Sequence, residues 1–482
     1  MPGQSAAEEQ PPLRWAADEE GGAPYIFKDP DHPGQRLGFE VDLAAALAKE
    51  LGRPIEFKQY EFESLLSGLT RGSQGDFDLA MNGLEVTPER KRQVRFSRPY
   101  YVYREQLVAR AGETRFHSLD DCQNRKDITI GTLGGCAGER SLDRRQITKR
   151  TYSDQVSPYK DLAVGRIDGV LLDLPIALYF ARPDLHLPHA NPVPGLKFVS
   201  SAVDEGYYAI AVRKENEALG QALDAALNRL LRSGELQRIY SKWGLWNEDQ
   251  EKLSLMGEID LTEASESWTF RRYFPLLLEG AAVTCLITVF GMMLAILIGM
   301  PLALARLYGP WPLRIGAAIY VEFFRGIPVL LLLYFLYYGL PDLVGFNLPA
   351  LYAAILGFGI NYAAYEAEIY RAGITAIPAG QWEAAASLGM SKPLTFRRII
   401  LPQAVKIILP PATNDLVALF KDTSVVSIIA VVELSKQYQI LSKTSFKYLE
   451  IGLVTAVLYL IMSVPLGYLS RYLEKRWSEN GE

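Results

Sequence analysis

Up to about residue 247, polar and apolar positions change period every few residues. Short runs of strand composition, RWAAD (14–18), PIEFKQY (54–60), FDLAMNG (77–83), DITIGTL (127–133) and IDGVLLD (167–173), alternate with amphipathic stretches. The latter are GFEVDLAAALAKELG (38–52), ESLLSGLTRG (63–72) and one near 137–145. PIALYFA (175–181) and YYAIAVR (207–213) continue the series, and ENEALGQALDAALNRLLRSGEL (215–236) predicts a long helix ahead of the aromatic IYSKWGLW. This rhythm predicts a parallel sheet covered by helices. Two lobes with a return to the first fit it: lobe 1 about 14–107 and 207–248, lobe 2 about 108–206. Residues 249–270 are acidic and polar and read as a linker. Beyond them the pattern changes. Apolar stretches near 274–305, 316–340, 349–371, 404–430 and 448–470 each reach the roughly 20 residues that a hydrocarbon core of about 30 Å requires. The fourth is the least regular, because Asn414, Asp415, Lys421 and Asp422 lie within it. The expected fold class is therefore a two-lobed α/β domain followed by an all-α membrane domain, 271–478, of about five helices.

Charge follows the same division. Of the first 272 residues 77 are Asp, Glu, Lys or Arg, about 28%, against 28 of the last 210, about 13%. A mean hydropathy of +0.04 averages a soluble part and a membrane part. A purely cytosolic enzyme, a disordered chain and a fibrous protein are excluded. The net charge of -5 resides in the first 250 residues, so no basic face for nucleic acid is implied. Cys122, Cys136 and Cys285 are too few for a disulfide framework, although a Cys122–Cys136 bridge stays open. Four histidines outside any spaced motif suggest no metal. The first 13 residues, MPGQSAAEEQPPL, are expected to be disordered and lack the charged start and apolar run of a signal peptide, so a trimmed or mature N-terminus is expected. Arg306 and Arg314 follow the first apolar stretch, Arg371, Lys392, Arg397, Arg398 and Lys406 flank the third-to-fourth connection, and Arg471, Lys475 and Arg476 close the chain. The second-to-third loop, PDLVGFN, has none. The positive-inside rule then places the C-terminus in the cytoplasm and the N-terminal half outside, against the weaker pull of Lys436, Lys443 and Lys447.

The third-to-fourth connection carries EAAASLGMSKPLTFRRIILP (383–402). A short helix of small residues ends at Gly389, and a second helix follows the turn. Small side chains let such a helix lie in another protein's groove, and basic residues hold it at the membrane surface. An ordinary helical hairpin between spans is the alternative. The pattern Glu-Ala-Ala, three residues, Gly, nine residues, Ile-x-Leu-Pro resembles the coupling loop of ATP-binding-cassette importer permeases. YVEFFRGIPVLL (320–331) and LFKDTSVVSII (419–429) are similar to HisM-like permeases for polar amino acids, of the type I importer fold. The resemblance covers about 270–475. It implies that Glu383, Ala384, Ala385 and Gly389 dock an ATPase, and that two such subunits drive a homodimer in the bacterial inner membrane. No GxxxxGK[ST] phosphate loop occurs, so ATP and Mg are expected on those partners and no cofactor on this chain. Glu322, Arg325, Asn361, Glu366, Glu368, Asp415, Lys421 and Asp422 are costly in lipid and suggest a pathway or internal pairs. Glu322, Asn361, Tyr365, Glu366 and Asp415 are the pathway candidates; Glu322–Arg325 and Lys421–Asp422 pairing is the other reading.

Residues 14–247 resemble the periplasmic family-3 solute-binding proteins for polar amino acids, a type II two-lobed fold, through RLGFEVDLAAALAKELG, FDLAMNGLEVTPERKRQVRFSRPY and GRIDGVLLD. The chemistry suits a zwitterion. Arg90 can clamp a carboxylate bidentately. Amides near Asn82 and Gly83 and in the GGCAG loop (134–138) can assist, and Asp173 can take the ammonium. Charged hydrogen bonds of about 1.5–3 kcal/mol each make micromolar binding attainable. Tyr25 and Phe62 are candidates for apolar walls. Three departures from the family pattern bear on selectivity: Glu85 replaces a small hydroxyl residue, Cys136 and Ala137 stand where Ser and Thr are common, and Gly21 and Gly22 replace an aromatic. Asp18, Glu19 and Glu85 can form an acidic pocket for a basic or other polar amino acid; Glu19 and Glu85 paired with nearby arginines is the alternative. Two rivals are weighed. A ligand-gated channel on such lobes has its membrane segment between them, whereas here both lobes precede the first apolar stretch. An enzyme on the same fold is disfavoured by the membrane half and by the lack of a clear acid/base pair in this sequence.

Overall fold

The computed structural model describes residues 11–19, 22–32, 34–71, 75–152, 154–190, 192–256, 269–340, 343, 348–429, 431–445 and 447–478. Most of the N-terminal stretch expected to be disordered, Gly21, the linker from 257 to 268 and most of the PDLVGFN loop lie outside them. The chain separates into two compact units, Met1–Ser267 and Trp268–Glu482.

In the first unit the strands are β1 (Leu13–Ala17), β2 (Phe27–Lys28), β3 (Arg36–Leu37), β4 (Ile55–Gln59), β5 (Leu79–Ala80), β6 (Val94–Arg110), β7 (Ile130–Leu133), β8 (Lys149–Tyr152), β9 (Gly169–Asp173), β10 (Leu196–Phe198) and β11 (Val203–Arg213). The main sheet runs β4-β1-β5-β11-β6-β9-β7-β8, with β10 on β6. Its ends are parallel triplets, β4-β1-β5 and β9-β7-β8, one per lobe. All five residues of β9 are buried, as expected of an interior strand covered by helices on both faces. Antiparallel β6 and β11 run through both lobes and join them. Where Ala209 pairs Pro99 the register slips, because proline offers no N–H to the ladder. These two strands are the hinge.

Three boundaries differ from expectation. PIALYFA lies in a helix, Leu174–Ala181, with Pro175 in its first turn, where the missing N–H costs nothing. The long helix divides at Gly234, whose φ of +75° is left-handed, into Glu217–Arg232 and Glu235–Lys242. The linker begins later than residue 249. Glu248–Glu251 and Lys252–Ser254 are helical turns clasped to β6: buried Gln250 accepts from the Val102 amide (3.0 Å) and donates to its carbonyl (2.7 Å). Arg104 binds Asp249, and Arg98 reaches the Leu253 carbonyl. Cys122 and Cys136 are both free. Cys122 packs in the lobe 2 core with Phe116, Ile128 and Leu142, while Cys136 precedes the helix Ala137–Arg144, so the open bridge does not form.

In the second unit the helix Phe270–Tyr308 is about 58 Å long at 1.5 Å per residue. It packs on Ala350–Thr375 through small residues: a Cβ on Gly299 would stand 3.0 Å from the Ala363 carbonyl. All five of the apolar stretches expected to span are helical, though the second and fourth are not single helices. Among the described residues two helices, Phe270–Tyr308 and Tyr448–Tyr468, are long and apolar enough to cross a membrane, or three if a bent pair counts as one. That pair, Trp311–Gly326 and Val329–Gly339, turns by 102° at Ile327–Pro328, where proline ends the incoming helix. The fourth stretch divides as well, into Leu401–Asp422 and a 3-10 segment, Thr423–Ile429.

Candidate functional site

The site grows from the end of β9 and the hinge strands. Asp173 lies opposite Glu105 of β6 in the strand register. Its carboxylate accepts from the Tyr25 hydroxyl (3.3 Å) and, at short range, from that of Tyr208 on β11; the two hydroxyls are 2.9 Å apart. Tyr208 stacks on Tyr103 with centroids 4.5 Å apart. Tyr25 comes from lobe 1 and Asp173 from lobe 2, so this cluster spans the cleft. Burial and then the Glu85 charge push the Asp173 carboxyl up to about 6, while burial and Asp173 raise Glu105. Two facing buried carboxyls favour holding one proton between them. Glu105 is fully buried, and Asp173 is the group that its carboxyl meets.

Glu85 forms the second centre. Its carboxylate accepts from the Ala137 amide at the start of the helix Ala137–Arg144 (2.8 Å) and from the Arg140 guanidinium, and Arg90 Nη1 stands 3.8 Å away. Burial alone would raise this carboxyl; Arg140 and Arg90 outweigh it and hold it below the usual range. Thr87 caps the short helix Pro88–Lys91 by accepting from the Arg90 amide, and the Arg90 side chain donates to the Glu85 carbonyl (3.0 Å). Cys136 is buried and donates to the Leu133 carbonyl (3.1 Å), with its thiol pushed well up by burial.

The remaining sequence candidates divide. Asp18 accepts from Gln59 Nε2 (2.9 Å) and from the Phe62 amide (3.1 Å), and its own amide donates to Asn82 Oδ1 (2.8 Å). Asp18, Asn82 and the Phe62 backbone thus form a knot inside lobe 1, with Phe62 half-buried beside it. The Gly83 amide is engaged within the chain: it donates to Glu40 Oε1 at 2.7 Å, and its φ is +59°. A Cβ there would meet the Tyr25 ring at 2.8 Å, which requires glycine. Glu40 also accepts from Tyr100, and burial pushes its carboxyl up to about 7. The acidic pocket of Asp18, Glu19 and Glu85 is not assembled. Glu19 pairs with Arg36 (2.7 Å) and Lys28 (3.6 Å), and Glu85 pairs with arginines of its own. Arg140, Glu105, Tyr103 and Tyr208 escaped sequence reasoning. Arg140 carried the one usable signal, a basic residue in the first turn after a Gly-rich loop.

In the second unit the helix Ala379–Ser387 ends in a left-handed Gly389 (φ +74°), with the Met390 amide returning to the Ala385 carbonyl. Ala385 is buried, whereas Glu383, Ala384, Leu388 and Gly389 are exposed, Leu388 at 81%. Trp382 and Phe396 pack against the cluster of Tyr370, Ile374, Ile400 and Ala404 beneath. Of the pathway candidates, Asn361 is buried and donates to the Phe324 carbonyl (2.8 Å), and Glu366 is fully buried. Asp415 is half-buried. Tyr365 lies under Arg325 (5.5 Å), and Glu322 is exposed on its helix. The expected pairs Glu322–Arg325 and Lys421–Asp422 do not form; Asp422 accepts instead from Tyr362 (2.7 Å). Glu368 pairs with both Arg306 and Arg371.

Comparison with known proteins matches residues 13–245 to the bacterial extracellular solute-binding proteins, family 3, and residues 281–479 to the binding-protein-dependent transport system inner membrane component. The chain is 39% identical over 205 residues to the probable amino-acid ABC transporter permease protein YckA of Bacillus subtilis strain 168, covering 42% of this chain and 90% of the relative. It is 38% identical to the glutamine transport system permease protein GlnP of Escherichia coli strain K12 (42% and 93%). The arginine transport system permease protein ArtQ of Bacillus subtilis strain 168 is 33% identical (43% and 94%). Two lobes joined at a hinge, a helical unit following them in the chain and these likenesses together place the chain in the polar amino-acid ABC importer family, as a family-3 solute-binding domain fused to a binding-protein-dependent permease domain.

Proposed function

We propose that this chain binds and passes amino acids with a cationic side chain, as a homodimer driven by two separate ATPase subunits that supply ATP and Mg. The binding half would face outward and the C-terminus the cytoplasm, as the loop arginines and lysines favour. The observation that carries the specificity is the buried Glu105–Asp173 pair ringed by Tyr25, Tyr103 and Tyr208. With Asp173 taken by the α-ammonium, Glu105 would be the carboxyl left, beside aromatic faces, to favour a cationic side chain over a neutral amide or an acid. A permease relative named for arginine accords with this, and one named for glutamine supplies the second reading.

Closure about β6 and β11 would bury the ligand and shift the receptor toward a docking-competent population. In the permease half, Tyr362 and Glu366 lie one turn apart on one face of the helix Ala350–Thr375, while Asn361 turns to the Phe324 carbonyl. Asp415 precedes Asp422, the partner of Tyr362, by two turns on one face, so both helices turn polar positions toward a common seam. That seam, with Tyr365 and Glu322 toward its edge, is the proposed pathway. The exposed Glu383, Ala384, Leu388 and Gly389 would receive the ATPase, with Ala385 anchoring their helix below.

The test is calorimetric titration of the full chain in lipid nanodiscs with each of the twenty amino acids. Arginine or lysine is expected to bind tightest, and Asp173→Asn to weaken that ligand about 10- to 150-fold, the loss of one charged hydrogen bond. A neutral or acidic amino acid binding tightest would sink the cationic reading.

A further inference from the structure

The amides that a ligand carboxylate would seek in this cleft are already engaged by carboxylates of the chain itself. Gly83 donates to Glu40, and Ala137 donates to Glu85. The second case spans the lobes. Glu85 precedes β6 in lobe 1, and its backbone bridges Tyr208 of the hinge strand β11. Ala137 and Arg140 belong to lobe 2. The carboxylate of Glu85 therefore crosses the cleft into a helix N-terminal amide and a guanidinium, with Arg90 as a second cation 3.8 Å away. Such a donor set is built for one carboxylate. Glu85 fills it with 3% of its surface exposed. A second carboxylate brought to the same donors would face an unscreened like charge. With its backbone pinned to β11, only the Glu85 side chain can withdraw.

We propose that Glu85 is a tethered occupant of the carboxylate seat, and that it sets ligand preference by competing with the carboxylate of the incoming amino acid. The proposal rests on the amino-acid reading above but not on its cationic refinement. An amino acid binds only as Glu85 swings out, and so carries a penalty that its decarboxylated amine escapes. The ammonium seat at Asp173 is common to both ligands. Glu85 thus discriminates at one end of the ligand alone.

The experiment titrates the full chain in nanodiscs with the tightest-binding amino acid and with its decarboxylated amine, for example arginine against agmatine or lysine against cadaverine. The quantity read is the ratio of the two affinities. Glu85→Thr, which frees the seat, is expected to raise the ratio in favour of the amino acid at least 10-fold. Glu85→Gln, which keeps the shape without the charge, is expected to fall between. Should Glu85→Thr lose its native circular dichroism, Glu85→Gln alone decides. A ratio that is unchanged or lower in a folded variant overturns the proposal. If no amino acid binds the unaltered chain, Glu85→Thr must bring binding on, and its continued silence also overturns it. The identity of the best ligand reports on the cationic reading, whereas the ratio reports on Glu85, so either can fail without the other.

Discussion

The cleft and the coupling loop treat their polar and apolar groups in opposite ways. In the cleft the charges are answered within the chain: Glu85 by Arg140 and an amide, Asp173 by two tyrosines. In the loop, Glu383, Ala384, Leu388 and Gly389 lie open on a helix anchored by Ala385, Trp382 and the cluster below. A closed network selects by forcing the ligand to replace an internal partner. An open helix transmits by gaining an external one. Substitutions should therefore separate binding from coupling.

The largest separation is expected at the loop. Gly389 holds a left-handed conformation, and proline, fixed near φ -65°, abolishes that turn. In vesicles reconstituted with the ATPase, Gly389→Pro or Glu383→Lys should lower coupled transport at least about 100-fold, the loss of several kcal/mol of docking free energy. Amino-acid affinity should remain within twofold. Transport that persists would show that the loop does not couple, and lost binding would dissolve the contrast between the two regions.

A smaller effect reads the closed side of the comparison through pH. Burial lifts the Glu40 carboxyl to about 7 in the fold, so its neutral form is the one the fold favours. The resulting stability is complete below the unfolded value of about 4.5 and is lost as pH rises to about 7, by about 3 kcal/mol in all. Glu40→Gln keeps an oxygen to accept from Gly83 and Tyr100 but does not ionise. Its unfolding free energy, followed by urea titration of the receptor signal, should lose this decline between pH 5 and 7.5 and exceed the unaltered chain's at pH 8. A parallel decline in both would place the charge elsewhere.

Sequence pattern reveals layers better than it reveals junctions. The alternation of strands and helices, the charge boundary near residue 272 and the short helix ending at Gly389 were all legible, because each is a local property of composition or period. The hinge was not. β6 runs for 17 residues through Pro99 and an aromatic series that carries no clean alternation, since the strand is buried on both faces for much of its length. The bend at Ile327–Pro328 escaped an apolar count, which registers length and not direction. Glu85 was legible as a departure from the family pattern, yet its partner Arg140 lies 55 residues away in the other lobe and reads locally as a solvated helix face. The acidic pocket gave way to the other reading: Glu19 pairs with Arg36 and Lys28, both near it in sequence, and Glu85 with Arg90 nearby and Arg140 from the other lobe.

The smallest predicted effect concerns the segment that leaves the closed region for the open one. Gln250 presents both ends of its amide to the Val102 backbone, at 3.0 and 2.7 Å, in the middle of the hinge strand. It thereby fixes the turns 248–254 to the receptor. Ala at this position removes two buried hydrogen bonds of about 1 kcal/mol each, with some return from water entering the gap. A loss of about 1–2 kcal/mol corresponds to a fall of about 3–6 °C in Tm for a domain of this size. Because Arg104–Asp249 and Arg98–Leu253 remain, the change should be local: faster hydrogen exchange at Val102 and earlier protease cleavage after Lys252, with the β9 amides still protected. Loosening that spreads to β9 would mean the clasp stabilises the whole hinge rather than its own seven residues.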